Sequence, residues 1–430
     1  MNLSKWTPVL GGLLALALAG SAQAQTYESL GEGVQVGRFV LHPSLAYEYT
    51  YDNNILFTST DLPGSDPIAS GAIVMRARLL AELPFRDNRI RLVYAPFTRT
   101  YTSDRFEPQD RLNHVFDLEG LFHTDGPITM MFRDHYVNGT VSLQEQVDQR
   151  NGLPSGLGHY AIHNPQLEFG VTLGVRHGFS LLPSYSRSSF TGFVPNFVTG
   201  LGPPGSGQIV DYGYTTRAVE GRYSYKLSEP TSLYGYGTTE GTTQTMTGVR
   251  DVGIQSRSIG VGLTRTVNEG LVTQLSAGYQ GLDFDGGRGR NFSGPVAEAS
   301  VIWQVSEVMR LDFGILRRPY ASIYTDSNYY IATEGRARWT RQVGRSSYID
   351  GGAVLQENEY VPFQGVGRAE RLIRLEAGTG HQFIKNLRGY IGVQLEQRES
   401  NVLQMSGGAG SDPFQYRLHR LLFRLEAGWL

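Results

Sequence analysis

The 430-residue sequence contains no cysteine. This absence excludes disulfides, zinc–thiolate sites and cysteine nucleophiles, and it is compatible with an oxidising compartment, where a stray thiol would be oxidised. The 38 basic and 40 acidic residues nearly cancel, and the net charge of −2 argues against a nucleic-acid-binding protein. Beyond the N-terminus no apolar run approaches the roughly 20 residues of a membrane helix, which excludes a helical inner-membrane protein.

The N-terminus has the three parts of a secretory signal peptide. Lys5 supplies the positive charge, residues 9–19 are apolar apart from glycines, and Ala22-Gln23-Ala24 fits a small-x-small cleavage site. The apolar run is too short for an anchor that spans a bilayer. We therefore predict a signal peptide over 1–24, with cleavage near Ala24, and a single mature domain over 25–430.

Tight polar turns recur along the mature chain, and the segments that alternate with them are longer and rich in Gly, Asp, Ser and Pro. Short turns at one end and long loops at the other are typical of a bacterial outer-membrane β-barrel. Eight turns can be read directly: Arg86-Asp87-Asn88, Asp125-Gly126-Pro127, Arg176-His177-Gly178, Ser228-Glu229-Pro230, Asn268-Glu269-Gly270, Ser306-Glu307, Gly344-Arg345-Ser346 and Lys385-Asn386.

Apolar and polar residues alternate between these turns, which predicts strands with one face toward lipid. About eighteen strands can be read, which is an even number, as expected of a bacterial single-chain barrel. They lie at 36–51, 70–84, 89–102, 111–123, 127–140, 158–175, 177–190, 210–227, 231–245, 249–267, 271–284, 291–305, 308–320, 326–343, 347–360, 368–383, 387–400 and 416–430. The predicted fold is an all-β, closed antiparallel transmembrane barrel with short periplasmic turns and longer extracellular loops.

The alternation also assigns a face to each side chain. From Leu387 to Glu396, Ile391 is expected to face lipid and Gln394 to face the lumen. Charges on the inner wall are costly unless they are paired or wet, so two roles are open: a structural ladder of Arg–acid pairs, or contacts with anionic or hydroxyl-rich solutes. The predicted lumen-lining residues are Arg76, Arg78, Glu82, Arg310, Asp312, Glu334, Arg336, Arg338, Arg374, Glu376, Arg388, Glu396, Arg424 and Glu426.

The chain ends in a strand with one apolar and one polar face, from Leu421 to Leu430. It resembles the C-terminal strand that the barrel-assembly machinery reads in outer-membrane proteins. We expect it to close the barrel by pairing with the first strand. Trp303, Trp339 and Trp429 lie beside predicted periplasmic turns or the C-terminus, where an aromatic belt is expected.

Motifs that carry chemistry are weak in this sequence. His159 and His163 are four apart but lie on a strand or loop, so the helical metal-ligand spacing does not apply. The run 283–287 lacks the later ligands of a calcium loop. We therefore predict no catalytic residues, no metal, no cofactor and no enzyme activity.

The first strand leads into Tyr51-Asp52-Asn53-Asn54-Ile55. Asp and Asn favour turns, so these residues are expected to end that strand. The run resembles a motif of the putative β-barrel porin 2 family, whose length and strand number are also similar. Because that family is associated with exopolysaccharide and capsule biosynthesis in Gram-negative bacteria, the resemblance implies an outer-membrane channel for a secreted polysaccharide.

Three functions remain open at this point: polysaccharide export, general diffusion of small hydrophilic solutes, and a structural or adhesive barrel with a plugged lumen. TonB-dependent uptake is disfavoured, because the first strand begins too soon after the predicted cleavage site for a plug domain. The expected location is the outer membrane of a Gram-negative bacterium. Expected partners are outer-membrane lipid and lipopolysaccharide, the assembly machinery, and periplasmic export components if export is the function, but no nucleic acid.

Overall fold

The structure is a computed structural model, and its description covers most of the chain. It describes residues 33–55, 67–86, 88–103, 111–123, 126–142, 157–195, 207–246, 249–268, 270–285, 291–322, 327–362, 367–401, 404–406, 409–411 and 415–428. The predicted signal peptide and Trp429 lie outside these ranges. In the described part, no helix is long and apolar enough to cross a membrane.

The regular structure consists of strands, numbered here in chain order. They are β1 (Val34–Val36), β2 (Phe39–Asp52), β3 (Ser70–Phe85), β4 (Asn88–Tyr94), β5 (Phe97–Tyr101), β6 (Arg111–Phe122), β7 (Ile128–Ser142), β8 (Leu157–Leu173), β9 (His177–Pro195), β10 (Gly207–Ser228), β11 (Thr231–Met246), β12 (Val249–Asn268), β13 (Leu271–Phe284), β14 (Phe292–Ser306), β15 (Met309–Ala321), β16 (Ser327–Val343), β17 (Ser347–Pro362), β18 (Ala369–Ile384), β19 (Leu387–Ser400), β20 (Gln404–Ser406), β21 (Ala409–Ser411) and β22 (Tyr416–Gly428).

Each strand of the wall pairs antiparallel with the next, and the last pairs with the first. β2 and β22 are joined from Ser44 opposite Gly428 to Asp52 opposite Arg420. This confirms the predicted closed barrel of 18 strands and the predicted closing pair. In the described part of the chain, closure leaves neither the first nor the last strand of the wall with an unpaired edge, which a barrel in lipid requires because the bilayer core offers no water to backbone groups.

Each of the eight predicted turns lies at a junction between consecutive strands, although Asp87, Asp125 and Glu269 lie outside the described residues. The turn predicted at 176–178 is found at 174–176, because β9 begins at His177. At Gly344 the backbone has φ +71, a left-handed conformation that glycine adopts without steric cost. Arg86 takes a similar conformation, with φ +54, in the turn between β3 and β4. These turns define the periplasmic end of the barrel, and the opposite end is called the loop end below.

Three details differ from the sequence prediction. The segment predicted as one strand from residue 36 contains a reversal at Gly37, where φ is +63, so that β1 folds back on the start of β2. The strand predicted at 89–102 is interrupted at Pro96, which lacks a backbone N–H, although β4 and β5 pair with β3 in one continuous register. The β20–β21 hairpin, in the last loop, was not predicted.

The two faces of the wall differ in composition. The outer face exposes large apolar side chains such as Leu45, Ile259, Ile315 and Ile391, the last at 50% exposure. The inner face carries the charged and hydroxyl side chains described next. This distribution places lipid outside and a polar lumen inside, as in other transmembrane barrels.

Candidate functional site on the inner wall

The strand register places all fourteen predicted luminal residues on the inner face of the barrel. One row across the wall runs from Arg336 through Val354 to Arg374 and Glu396. The outward neighbours in these strands, such as Leu355 and Leu395, are exposed apolar residues. The structure therefore places the predicted charged residues on one surface, and the strand register determines which of them are neighbours.

Arginine–carboxylate pairs tie together β18, β19, β22 and β2, on one side of the closing seam, which is the β2–β22 pair, and across it. Because each pair joins neighbouring strands, the pairs act as lateral cross-links within the wall. They are Arg374–Glu396 (2.7 Å), Arg388–Glu426 (2.8 Å), Arg398–Glu370, Arg420–Asp52 (2.7 Å) and Arg424–Glu48 (2.5 Å).

Glu396 is the most enclosed of these carboxylates, at 2% exposure. Its oxygens accept hydrogen bonds from Arg374 Nε at 2.7 Å, from Tyr416 Oη at 2.6 Å and from Gln394 Nε2 at 3.2 Å. A buried charge is stable only when it is paired and hydrogen-bonded, and this one is both. Glu396 and Arg374 are therefore part of the wall.

The pairs continue on the other side of the seam. Glu82 contacts Arg91 at 2.9 Å, and Glu119 contacts Arg133 at 3.3 Å and Arg89 at 3.4 Å. Arg76 places its guanidinium 5.0 Å from the centre of the Phe97 ring. The charged half of the inner wall therefore neutralises much of its own charge.

A smaller set of inner charges lies exposed. Arg310 and Asp312 pair at 3.0 Å, and the side chains are 50% and 31% exposed. Arg338 and Glu376 lie on either side of Gly352 in one row, and no ion pair joins either of them to another described residue. These four side chains are the predicted luminal residues best placed to meet a solute.

The remaining predicted residues are more enclosed. Arg78 and Glu334 are both 7% exposed. The side chain of Arg336 covers Gly314, where a Cβ atom would lie 2.7 Å from Arg336 Nε. These residues contribute to the packing of the wall.

The opposite arc, on β10 to β13, presents mainly neutral hydroxyl and amide groups to the lumen. The sequence prediction concentrated on charges and missed this arc, although the same alternation assigns it to the inner face. Its hydrogen bonds are Thr216 to Thr242 (2.8 Å), Gln274 to Tyr234 (3.2 Å), Gln280 to Ser256 (3.1 Å) and Thr238 to Glu220 (3.4 Å). Glu220 also pairs with Arg222 at 3.0 Å.

Tyrosines in this arc lie flat against glycines of the neighbouring strand. A Cβ atom at Gly260 would lie 2.6 Å from the ring of Tyr236, and one at Gly278 would lie 2.9 Å from its hydroxyl. Only glycine allows so close an approach to the backbone. The rings therefore form part of the lumen surface instead of projecting across it.

A buried aromatic cluster lies at the loop end of the inner wall. It includes residues of β7 to β10 and of β16 and β17, which are on opposite sides of the barrel. The members are Val137, Tyr160, Phe190, Tyr212, Tyr330, Ala332 and Tyr360. Because both walls take part in one cluster, the lumen is narrowed at this level.

The rings of this cluster pack on one another and contact charged residues of the inner wall. Tyr330, at 0% exposure, stacks on Tyr320 at 5.7 Å and packs on Tyr360 at 4.9 Å between ring centres. The guanidinium of Arg368 lies 3.7 Å from the centre of the Tyr360 ring and contacts Glu370 at 3.2 Å. Strand periodicity did not reveal this cluster, because its members are distant in sequence.

The motif Tyr51–Ile55 fastens the loop end of the closing seam. The carboxylate of Asp52 accepts from Arg420 Nε at 2.7 Å and from its Nη2 at 3.0 Å. The Asn53 backbone N–H donates to the carbonyl of His419 at 3.2 Å, and Asn53 Oδ1 accepts from the His419 N–H at 2.6 Å. Both residues thus connect the end of β2 to β22.

The motif also ends in buried contacts. Asn54, at 0% exposure, donates from Nδ2 to the carbonyl of Arg417 at 3.4 Å. Ile55 is 3% exposed and packs with Ala72 and Tyr101 of neighbouring strands. The motif does more than end a strand, because it holds the first and last strands together.

Two of the tryptophans that were predicted to form an aromatic belt lie on the outer face near the periplasmic end. Trp303 is 42% exposed and Trp339 is 37% exposed. His163 contacts Asp134 at 3.1 Å. Among the described residues, no group of His, Cys, Asp and Glu has the arrangement of a metal site.

Comparisons with solved structures give distant likenesses to outer-membrane barrels. The chain is similar to the ferric citrate transporter FecA in its unliganded form, with 10% identity, a TM-score of 0.48, and coverage of 90% of this chain and 78% of that chain. For the FrpB iron transporter from Neisseria meningitidis the identity is 9%, the TM-score 0.47 and the coverage 93% and 82%. For FpvA of P. aeruginosa the values are 8%, 0.49, 90% and 72%. Likenesses at this level do not bear on function.

No curated protein matches the sequence. The profile of one protein family does match, over residues 26–409, and its description is putative beta-barrel porin 2. The match covers most of the wall, including the Tyr51–Ile55 motif at the seam. The chain is therefore an outer-membrane β-barrel that belongs to the putative beta-barrel porin 2 family.

Proposed function

We propose that the barrel is a passive outer-membrane channel through which a secreted polysaccharide, such as an exopolysaccharide or a capsule polymer, leaves the cell. The observation that carries the proposal is the chemistry of the inner wall. The part of the wall around the closing seam neutralises much of its charge internally, and the opposite arc, on β10 to β13, offers mainly hydroxyl and amide groups. Such a wall matches a polymer rich in hydroxyl groups better than it matches a simple ion.

The small net free energy of each hydrogen bond also supports the passage of a polymer. A hydrogen bond exchanged with water contributes only about 0.5–1.5 kcal/mol net. The hydroxyl and amide groups of Thr238, Ser256 and Gln280 can therefore hold and release sugar hydroxyls in turn as a polymer slides. The flat ring of Tyr236 adds an apolar surface for the apolar face of a sugar ring. No step in this mechanism requires catalysis.

The aromatic cluster favours export over the diffusion of small solutes. A general diffusion porin needs a permanently open constriction, whereas Tyr330 and Tyr360 take part in a cluster that involves opposite walls. We propose that a polymer in transit displaces part of this cluster. The channel would then remain narrow when no polymer passes.

A deletion strain tests the proposal directly. Deleting the gene should leave polysaccharide synthesis intact but stop the polymer from reaching the cell surface, and a plasmid copy should restore it. Surface polymer and total polymer are both measured with a polymer-specific stain or antibody. Normal surface polymer together with reduced uptake of small solutes would reject export in favour of a diffusion porin.

Matched variants test whether the arc of hydroxyl and amide groups on β10 to β13 guides the polymer. The inner double variant Thr238→Val/Gln280→Leu should reduce surface polymer severalfold. The outer double variant Thr239→Val/Tyr279→Leu changes the adjacent residues, which face away from the lumen, and should leave export unchanged. Heat-modifiable gel mobility shows whether both variants assemble. Equal export by two assembled variants would contradict a guiding role of the arc.

A further inference from the structure

A pair of tyrosines lies on the inner wall at the periplasmic mouth of the lumen. Tyr348 is the second residue of β17 and Tyr390 is the fourth residue of β19, and both strands start at periplasmic turns. Gly380 of β18 is the register partner of Tyr348 on one side and of Tyr390 on the other. The two side chains therefore flank one glycine in a single row of the wall.

Glycines of β18 and β19 let both rings lie flat against the wall. The ring of Tyr348 covers Gly380 and that of Tyr390 covers Gly378, and neither glycine has space for a Cβ atom. At Gly392 a Cβ atom would lie 2.8 Å from the Tyr390 ring. The ring centres are 6.3 Å apart and the ring planes differ by 25°, so the two rings lie side by side in a nearly flat surface. This surface, formed by Tyr348 and Tyr390, is called the tyrosine platform below.

The lumen side of the tyrosine platform is accessible. Tyr348 remains 36% exposed although the other side of its ring lies on Gly380. The ring of Tyr234, on β11, also lies on a glycine, but the guanidinium of Arg222 lies 4.8 Å from its centre and covers it. Packing on a glycine therefore does not by itself leave a ring face open to the lumen.

Polar side chains border the platform toward the loop end. Asp350, two residues after Tyr348 on β17, accepts a hydrogen bond from the Tyr390 hydroxyl at 3.1 Å. The next row of inward side chains, about 7 Å farther along the strands, holds Arg338, Glu376 and Gln394. This row offers both donors and acceptors to hydroxyl groups at the edge of a ligand that lies on the platform.

Charges of both signs balance around the platform. The charges on its β22 side form two ion pairs, Arg388–Glu426 at 2.8 Å and Arg424–Glu48 at 2.5 Å. Arg338 and Glu376 are exposed and supply one charge of each sign. Asp350 is only 8% exposed, and its carboxylate accepts from the Tyr390 hydroxyl. The site therefore presents no excess charge to an acidic or a basic ligand.

We propose that the tyrosine platform is the entry site of the channel and that it binds neutral hexose residues of the exported polymer. The apolar face of a sugar ring would lie on Tyr348 and Tyr390, and its hydroxyl groups would contact Arg338, Glu376 and Gln394. Aromatic side chains supply a large apolar surface, and a few polar groups around such a surface fix the orientation of a ligand. This inference rests on the proposed export function, because the platform lies at the end where a polymer would enter.

Two double variants test the two kinds of contact. Tyr348→Leu/Tyr390→Leu removes both ring faces. Its control, Trp339→Leu/Phe383→Leu, removes two rings that also pack on glycines but lie on the outer face of β16 and β18. Because both variants lose packing on glycine, only a lumen ligand distinguishes them. Arg338→Ala/Glu376→Ala removes the hydroxyl contacts at two exposed positions, where the cost to assembly is small.

The full barrel is purified in detergent, and heat-modifiable gel mobility checks the assembly of each variant. Saturation-transfer NMR then measures the binding of a neutral glucose hexamer, a galacturonic acid hexamer, a glucosamine hexamer and a polyethylene glycol of similar length. We expect the neutral hexamer to bind best, with saturation transferred mainly to its ring C–H protons. The leucine pair should weaken this binding about tenfold and the alanine pair severalfold, whereas the outer-face control should bind as wild type.

Three results would overturn the proposal. They are equal or tighter binding of a charged hexamer by the wild-type barrel, equal binding of polyethylene glycol, and unchanged binding of the neutral hexamer by either assembled lumen variant. In cells, the assembled leucine pair should release less surface polymer than its control, and normal release would reject the entry site while leaving export intact. If the deletion strain keeps its surface polymer, export itself is rejected, and binding of the neutral hexamer then supports the platform as a sugar site of a different channel.

Discussion

An arginine at Ile391 should destabilise the barrel strongly, because this residue faces lipid near the middle of the membrane. Ile391 is 50% exposed on the outer face, between Thr379 and Phe423 in the strand register. β19 begins at Leu387. With a rise of about 3.3 Å per residue and a tilt of about 40°, Ile391 lies about 10 Å above the periplasmic end of the strand.

The expected loss of folding free energy follows from the height of Ile391 in the membrane. The apolar band of a transmembrane barrel is about 25 Å tall, so a residue about 10 Å above its lower edge lies close to the midplane. An arginine at that depth costs roughly 2–4 kcal/mol of folding free energy. Gln394, three positions along the same strand, faces inward, where its register partners are Glu376 and Arg420. Gln394→Arg should cost less, about 1 kcal/mol, because it removes only the hydrogen bond from Gln394 Nε2 to Glu396 at 3.2 Å.

The assay is reversible urea unfolding in lipid vesicles, followed by tryptophan fluorescence. Wild type, Ile391→Arg and Gln394→Arg are compared at one vesicle composition, and heat-modifiable gel mobility checks assembly. The midpoint of Ile391→Arg should fall, with the slope unchanged. Equal unfolding free energies for the two arginine variants would refute the assignment of inner and outer faces.

Three further predictions concern contacts of the inner wall. Arg374→Ala should cost about 3 kcal/mol in the same urea assay, because it leaves the carboxylate of Glu396 buried without its cation. Gly260→Ala should cost about 1–3 kcal/mol, because its Cβ atom would lie 2.6 Å from the Tyr236 ring. Tyr330→Ala should raise single-channel conductance in planar bilayers, because it removes the ring at the centre of the aromatic cluster.

Each of these changes has a matched control. Arg371→Ala removes an exposed outer arginine that pairs with Glu357 at 4.0 Å, and it should be nearly neutral. Gly221→Ala adds a Cβ atom where nothing lies within 4 Å. Tyr279→Ala removes an outward ring and should not change conductance. If a control variant changes stability or conductance as much as the variant it is paired with, the contact named in that prediction does not produce the change.

The sequence predicted the wall well, because a barrel strand must alternate apolar and polar residues. The alternation from Leu387 to Glu396 determined both faces of β19, and the turn at Gly344 was readable from its small and polar residues. The break at Pro96 and the reversal at Gly37 were less evident. In both cases a single residue changes local geometry without changing the alternation around it.

The arrangement within the lumen was harder to predict, since it depends on long-range register. Alternation shows that Arg374 and Glu396 face inward, but only the pairing of β18 with β19 brings them to 2.7 Å. The contact between the walls that carry Phe190 and Tyr330 depends on the shape of the whole barrel. No local pattern carries this information.

The seam at Tyr51–Ile55 has a consequence for the order of folding. The Asp52 and Arg420 side chains that hydrogen-bond there are separated by 368 positions in sequence. Contacts of such long range form late and slow the folding of β-proteins. Until β22 is in place, the first strand keeps an open edge that can pair with other chains. The contacts of Tyr51–Ile55 can therefore form only when β22 is in place, at the step that closes the wall and pairs its two open edges.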